Sequence, residues 1–190
     1  HTVIVACGLQ TLPLMQESGL MLQTRRSGEV VPAIPKLHSL HPMGGEVMHV
    51  PAGLVNGGPR CIIGGEGYFL PPVNNFCVMG STYMHNQLVP CTSKKGQKSI
   101  LSKMPVALSA DLEKAVQNNE ISGWAGMRGV MQGRLPVIGQ LEHAEGVWIA
   151  AAYASHGLTW SSLAGDVIGA RLEGEPVPLE RDLLKAISPR

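Results

Sequence analysis

The chain has no run of about eighteen uninterrupted apolar residues, the length a membrane-spanning helix requires, so no membrane span is expected. It has no C-x-x-C pair either. Its four cysteines, Cys7, Cys61, Cys77 and Cys91, stand at wide, irregular spacings that indicate neither a zinc site nor a disulfide framework. His38 and His41 are close in sequence, but Pro35 and Pro42 flank them and no further Cys or His completes a ligand set, so no metal is expected. No histidine is paired with a nucleophile, which removes Ser-His-Asp chemistry and leaves no residue to name as catalytic. The phosphate-cradling pattern G-x-G-x-x-G is absent as well. Charge is sparse: 15 Lys plus Arg against 14 Asp plus Glu leave a formal +1, which gives no global attraction to nucleic acid. Any basic partner surface must therefore be local. The visible basic runs, Arg25-Arg26 and Lys94, Lys95, Lys98 and Lys103, read as solvated faces. No internal repeat or low-complexity segment occurs.

What is present describes a globular protein. The 190 residues, 44% of them hydrophobic, are enough for a substantial core. The chain opens with His1 and runs at once into an apolar strand, Val3 to Cys7, followed by Gly8. Such a strand is typical of a parallel sheet covered on both faces, so a piece from within a larger protein is expected. The expected compartment is the cytoplasm.

From Gly8 to Met43 four prolines punctuate a stretch that reads as connection, with a short helix over Leu14 to Gln23. From Gly44 short strands follow: Glu46 to Val50, Arg60 to Ile63, Gly67 to Leu70 and Phe76 to Gly80. Gly57-Gly58-Pro59, Pro71-Pro72 and Asn74-Asn75 separate them, which predicts an antiparallel meander. Lys98 to Asn119 is helical in pattern but broken by Pro105, predicting two short helices. Trp124 to Met131 returns to a strand and ends in the turn-rich Gly133 to Pro136.

The stretch Val147 to Leu172 reads as a buried strand, a turn of small residues and a helix. Leu163, Val167 and Ala170 share one face at helical spacing, with Ala164, Ile168 and Leu172 beside them. Thr159 is the expected N-cap, and Gly174 followed by Pro176 marks the end. A helix N-terminus presents unpaired N–H groups and partial positive charge, so a group lying against Gly157 to Thr159 would be electron-rich. The same pattern also describes an ordinary strand-turn-helix whose small residues only permit close packing.

Arg128 lies inside a Gly-rich strand, where a charged side chain needs an anion. That anion is either an Asp or Glu on a neighbouring strand or a substrate carboxylate held by two parallel N–H bonds. Tyr68 is either core with its hydroxyl at an edge or a hydrogen-bond donor in a pocket.

Read in order, the blocks resemble the FAD-dependent D-amino acid oxidase and glycine oxidase superfamily. Within it they are most similar to the oxidase domains of bifunctional enzymes that modify the wobble uridine of tRNA. Thr2 to Gly8 resembles the family's strand ending in Ala-x-Gly, and Gly45 to Pro51, GEVMHVP, its G-Q-V-S-H-x-P. Gly67 to Pro71 and Cys77 to Tyr83 resemble D-G-Y-L-T-P and C-x-G-A-S-Y. Trp124 to Gly139 resembles G-V-R-C-x-x-x-D-x-L-P-x-V-G, and Val147 to Pro178 the closing F-x-A-x-G-S-R-G-L and E-P-x-P segments. Glu46 stands where the family usually has Gln, His156 where it often has Arg, and Ser162 where Pro is common.

The resemblance implies an α/β (α+β) architecture: part of a Rossmann-like FAD-binding unit from both ends of the chain, and an antiparallel substrate-binding sheet with short helices from the middle. In residues, 1–43 would close the first part of the FAD unit, 44–132 would form the substrate-binding domain, and 133–190 would return to the FAD unit. Ala6, Gly8, Ser155, His156, Gly157, Leu158 and Thr159 would contact FAD, while Arg128 and Tyr68 would bind substrate. The implied activity is oxidative removal of the carboxymethyl group from carboxymethylaminomethyl(-2-thio)uridine in tRNA. The missing N-terminal FAD portion and a methyltransferase portion would lie elsewhere in the complete protein. The alternatives are an amine oxidase acting on free glycine, sarcosine or D-amino acids, or, for this piece alone, a non-catalytic module that binds FAD weakly or not at all.

Overall fold

The structure, a computed structural model, describes residues 1–25, 27–85 and 89–190. Arg26, half of one basic run, lies outside the described residues. In chain order the elements are β1 (Val3–Val5), α1 (Thr11–Glu17), β2 (Leu22–Thr24), β3 (Val30–Pro32), β4 (His41–Pro51), β5 (Ile63–Gly64), β6 (Tyr68–Phe69), β7 (Phe76–Gly80) and β8 (Met84–His85). There follow α2 (Lys94–Leu101), α3 (Val106–Gln117), β9 (Ser122–Val130), β10 (Val137–Gln140), β11 (Val147–Ala151), α4 (Gly157–Glu173) and α5 (Arg181–Ile187). The chain divides into two compact units, one of His1–Pro42 with Arg128–Arg190 and one of Met43–Met127.

The first unit is built on a three-stranded sheet ordered β1, β11, β10. β1 runs parallel to β11, with Val3 opposite Val147 and Val5 opposite Ile149, and β10 is antiparallel to β11. β11 is apolar throughout because both of its faces are covered. Ile149 and Ala151 belong to a core with Val5, Met15, Ile34 and Leu37. Trp148 and Ala150, pointing the other way at period two, belong to a core with Ala164, Val167 and Ile168 of α4 and Ile187 of α5. The predicted apolar face of the helix is thus largely the buried one, although Leu172 is 45% exposed. α4 ends at Gly174, whose φ of 72° is the left-handed conformation glycine adopts without steric cost. The C-terminal end of α5 is tied down by Lys36, whose ammonium donates to the carbonyls of Ala186 at 2.9 Å and Ser188 at 3.0 Å.

Residues 11–32 differ from the sequence reading. The helix is α1 and stops at Glu17, because Gly19 at φ 70° reverses the chain. Leu22–Thr24, expected to be helical, instead pairs with Val30–Pro32 as an antiparallel hairpin turned at Gly28, φ 84°. Strand pairing with a partner on the far side of a turn outweighed the weak local helical pattern.

The second unit holds the sheet ordered β5, β6, β7, β4, β8, with β9 also paired to β4. Met48, Val50, Phe69, Cys77 and Met79 form one core with Ile100 and Leu101 of α2 and Leu112 and Val116 of α3. Pro105 separates the two helices and serves as N-cap of α3, so the break falls where the imide demands it.

Among the described residues of this unit one carboxylic acid is buried. Glu46 is 1% exposed. Its Oε2 accepts a hydrogen bond from the Ser93 N–H at 2.8 Å, and its backbone N–H donates to Thr82 Oγ1 at 2.9 Å. Oε1 is enclosed and has no hydrogen-bond partner. Ser93 caps α2, its Oγ accepting from the Gly96 N–H at 2.9 Å, so the carboxyl lies against the electropositive first turn of that helix. Burial pushes the Glu46 carboxyl above the usual carboxylate range, and the Ser93 hydrogen bonds offset this only in part. A group whose folded-state pKa is raised stabilises the fold fully below its unfolded pKa and loses that contribution as pH rises through the folded value. Denaturation midpoints of the wild-type chain are therefore expected to fall as pH is raised above the ordinary carboxylate range. In Glu46→Gln, which keeps an acceptor for Ser93, that slope should flatten, and an unchanged slope would assign the pH dependence elsewhere.

Candidate functional site

Because β1 and β11 are parallel neighbours, their C-terminal ends emerge side by side, at the edge where open α/β sheets bind ligands. β1 delivers Ala6, Cys7 and Gly8, all exposed, and Gly8 turns the chain with φ 57°. β11 delivers a turn and then the N-terminus of α4. Alanines, rather than glycines, make that turn: Ala152 at φ 64° and Ala154 at φ 52°. For a residue with a Cβ this conformation costs about 1 kcal/mol or more, and such strain concentrates at functional sites. Along the sequence the apolar run is broken at Ala154, but nothing in the pattern marks Ala152 or Ala154 as left-handed.

The helix begins earlier than expected. His156 is the N-cap, without a side-chain capping bond, and Gly157 is the first helical residue, so Thr159 lies within the first turn. Trp160 is the first residue whose N–H bonds inside the helix, to the His156 carbonyl at 2.9 Å. The N–H groups of Gly157, Leu158 and Thr159 precede that bond and have no intrahelical acceptor. Ser155, His156 and Thr159 are exposed and Leu158 is 91% exposed, while the space in front of Gly8 and of Gly157 is open to at least 4 Å from where a Cβ would stand. Open space, three uncommitted donors and a helix dipole together suit a flat, electron-rich group. The seven residues named from sequence as cofactor contacts are thus brought to one edge by β1, β11 and α4. Tyr153, half-buried beside this turn, has its phenol pushed up by burial and so remains a neutral donor at physiological pH.

Arg128 belongs to the same unit. It is half-buried on β9, with Nη1 out of reach of solvent. The next residue, Gly129, accepts a hydrogen bond from the Ala154 N–H at 3.2 Å, which fixes the strand bearing Arg128 to the turn that starts α4. Sequence spacing places these residues far apart; that bond is what joins them.

Tyr68 lies in the other unit, on β6 and directly opposite Gly80 of β7. A Cβ on Gly80 would stand 2.6 Å from the Tyr68 Oη, so the phenol lies across a glycine that leaves it room. Nearby, the Lys103 ammonium donates to the Ser81 carbonyl at 2.6 Å and sits 5.9 Å from the centre of the Tyr83 ring. Among the described residues no group of three or more His, Cys, Asp or Glu could hold a metal ion, and no helix is long and apolar enough to cross a membrane.

Residues 1–171 match the family described as FAD dependent oxidoreductase. The chain belongs to that family. Its members are enzymes whose cofactor is FAD. Among curated proteins the chain is 31% identical over 163 residues to the tRNA 5-methylaminomethyl-2-thiouridine biosynthesis bifunctional protein MnmC of Thiobacillus denitrificans, covering 83% of this chain and 26% of that protein. It is 30% identical over 166 residues to the protein of the same name from Burkholderia mallei, covering 76% and 25%. The chain thus spans about a quarter of the length of these relatives. Among solved structures it resembles glycine oxidase from Geobacillus kaustophilus, with a TM-score of 0.68 and 19% identity over 100% of this chain and 45% of that one. Iminodiacetate oxidase from Chelativorans sp. BNC1 gives 0.68 and 18% over 99% and 46%. At these identities the structures establish the fold, a mixed α/β architecture of the glycine oxidase type.

Proposed function

We propose that the complete protein removes the carboxymethyl group from carboxymethylaminomethyl(-2-thio)uridine at the wobble position of tRNA in the cytoplasm, with this chain as the C-terminal part of its oxidase. The carrying observation is the shared edge of Ala6–Gly8 and the α4 N-terminus, tied through Gly129 to the strand of Arg128, in a chain about 30% identical to tRNA-modifying relatives. FAD, when bound, supplies the two-electron acceptor. The N–H groups of Gly157, Leu158 and Thr159 would donate to the electron-rich side of the cofactor and stabilise the negative charge it gains on reduction. The Arg128 guanidinium grips the glycine-like carboxylate through parallel N–H bonds and so orients the α-carbon from which hydride departs. Loss of hydride and a proton across the C–N bond leaves an imine, and water splits it into the aminomethyl nucleoside and glyoxylate. The methyltransferase portion of such a bifunctional protein lies outside this chain.

In the complete, flavin-loaded protein, glyoxylate release from an RNA carrying the modified uridine is the expected activity. Arg128→Ala should weaken substrate binding by about 1.5 to 3 kcal/mol, roughly 10- to 150-fold, as a charge-assisted bond is lost. Arg128→Lys should fall between, since an ammonium keeps the charge but not the planar pair of donors. Unchanged binding and turnover in Arg128→Ala would remove this residue from the site. The likeness to glycine oxidase favours one other substrate class: if the complete protein oxidises free glycine or sarcosine and leaves the modified RNA untouched, the free-amino-acid reading replaces this one.

A further inference from the structure

A cleft of about 710 Å³ opens in the first unit, away from the cofactor edge, between the end of β10, the C-terminal half of α4 and α5. Arg181, Leu184, Lys185 and Ser188 line it from one side, at the spacing that puts residues on one helical face, while Asp182 lies off that face. Val167 and Arg171 line it from α4 at the same spacing. Glu142 and Glu145 are the acidic residues of the lining. Glu142 is ion-paired to Arg190, but Arg171, Arg181 and Lys185 form no ion pair among the described residues and are exposed. In a chain whose overall charge is only +1, the cleft gathers three uncommitted cations around the apolar side chains of Ile138, Leu141, Val167 and Leu184.

We propose that this cleft binds the sugar-phosphate backbone of RNA. Guanidinium and ammonium groups held apart on two helices match successive phosphates better than a single anion, and the apolar side chains suit ribose. Glu145 in the same lining brings a carboxylate that can accept from a ribose 2′-hydroxyl, a group that DNA lacks. The spacing is also right for a polymer. Arg171 is fourteen residues along α4 from Gly157, about 21 Å at the helical rise of about 1.5 Å per residue. A nucleic-acid strand covers that distance in about six nucleotides at about 3.4 Å each, whereas a free amino acid engages one end alone. The inference rests on the tRNA reading above and adds to it where the rest of the RNA is held.

The test uses the complete protein and a fluorescently labelled RNA hairpin, with anisotropy measured over a range of salt concentrations. The combined variant Arg171→Gln, Arg181→Gln, Lys185→Gln should bind the hairpin roughly 10- to 100-fold more weakly, and the slope of log affinity against log salt should shrink by about 2 to 3, near one unit per lost phosphate contact. Arg171→Lys with Arg181→Lys should retain most of the affinity, which separates charge from misfolding. Glyoxylate release from the free modified nucleoside should be the same in wild type and variant, so this inference is judged apart from the oxidation itself. Affinity and salt slope equal to wild type in the Gln variant would overturn the proposal, as would failure of the wild-type protein to bind the hairpin.

Discussion

Gly96→Ala should destabilise the sheet unit by roughly 2 to 4 kcal/mol, although alanine for glycine within a helix ordinarily stabilises by about 1 kcal/mol. A methyl group there would overlap the Glu46 carboxyl, which is packed against the first turn of α2 and 1% exposed. The carboxyl would have to leave the Ser93 N–H that it accepts from, and a buried acid stripped of its donor costs several kcal/mol. The sign is therefore the reverse of the helix-propensity rule. Urea denaturation of the two chains measures it, and a stabilised Gly96→Ala variant would show that the carboxyl has room to move. Combining the change with Glu46→Ala should recover part of the loss, because the colliding group is gone.

Trp148→Ala is expected to cost about 3 to 5 kcal/mol in the first unit, in the range for deleting a large aromatic from a core. Trp148 is 4% exposed and fills the layer between β11 and the buried stripe of α4. Removing it leaves a cavity under the helix whose first turn is the proposed cofactor edge, so the flavin content of the complete protein should fall along with its stability. Leu158→Ala provides the contrast: at 91% exposure its truncation should stay within about 0.5 kcal/mol of wild type. Thermal melts and the visible flavin absorbance of the purified proteins report both effects. A Trp148→Ala protein that melts like wild type would mean that the layer collapses around the gap.

The sequence was most legible where one periodicity ran without interruption. β7, at Phe76–Gly80, falls where alternation and flanking turn residues placed it, and β11 with α4 appears as the strand, turn and helix read from Val147 onward. Pro105 and Gly174 act as breakers for reasons of covalent geometry alone, and both were visible. Residues 11–32 were not, since the pairing of Leu22–Thr24 with Val30–Pro32 is a contact between weak segments that local pattern does not favour. At the candidate site, a helix following β11 could be read, although its N-cap is His156 and not Thr159. The left-handed alanines and the Gly129 carbonyl that joins Arg128 to the turn could not, because both depend on where the chain goes next. The cations of the C-terminal cleft escaped for a related reason. Arg171, Arg181 and Lys185 are ten and four residues apart, and only the packing of two helices makes them neighbours.

The parallel pairing of β1 with β11 also sets an order of events during synthesis. The sheet unit is one continuous segment, Met43–Met127, so its contacts can form as soon as that segment is available. β1 is made before β11 and cannot pair with it until β11 exists, because Val3 pairs with Val147. At about 5 to 20 residues per second, the twenty residues from Met127 to Val147 take about 1 to 4 s. Throughout that interval β1 is an apolar segment without its β11 neighbour, and the half-made first unit is the stage at which a nascent chain is most exposed to mispairing.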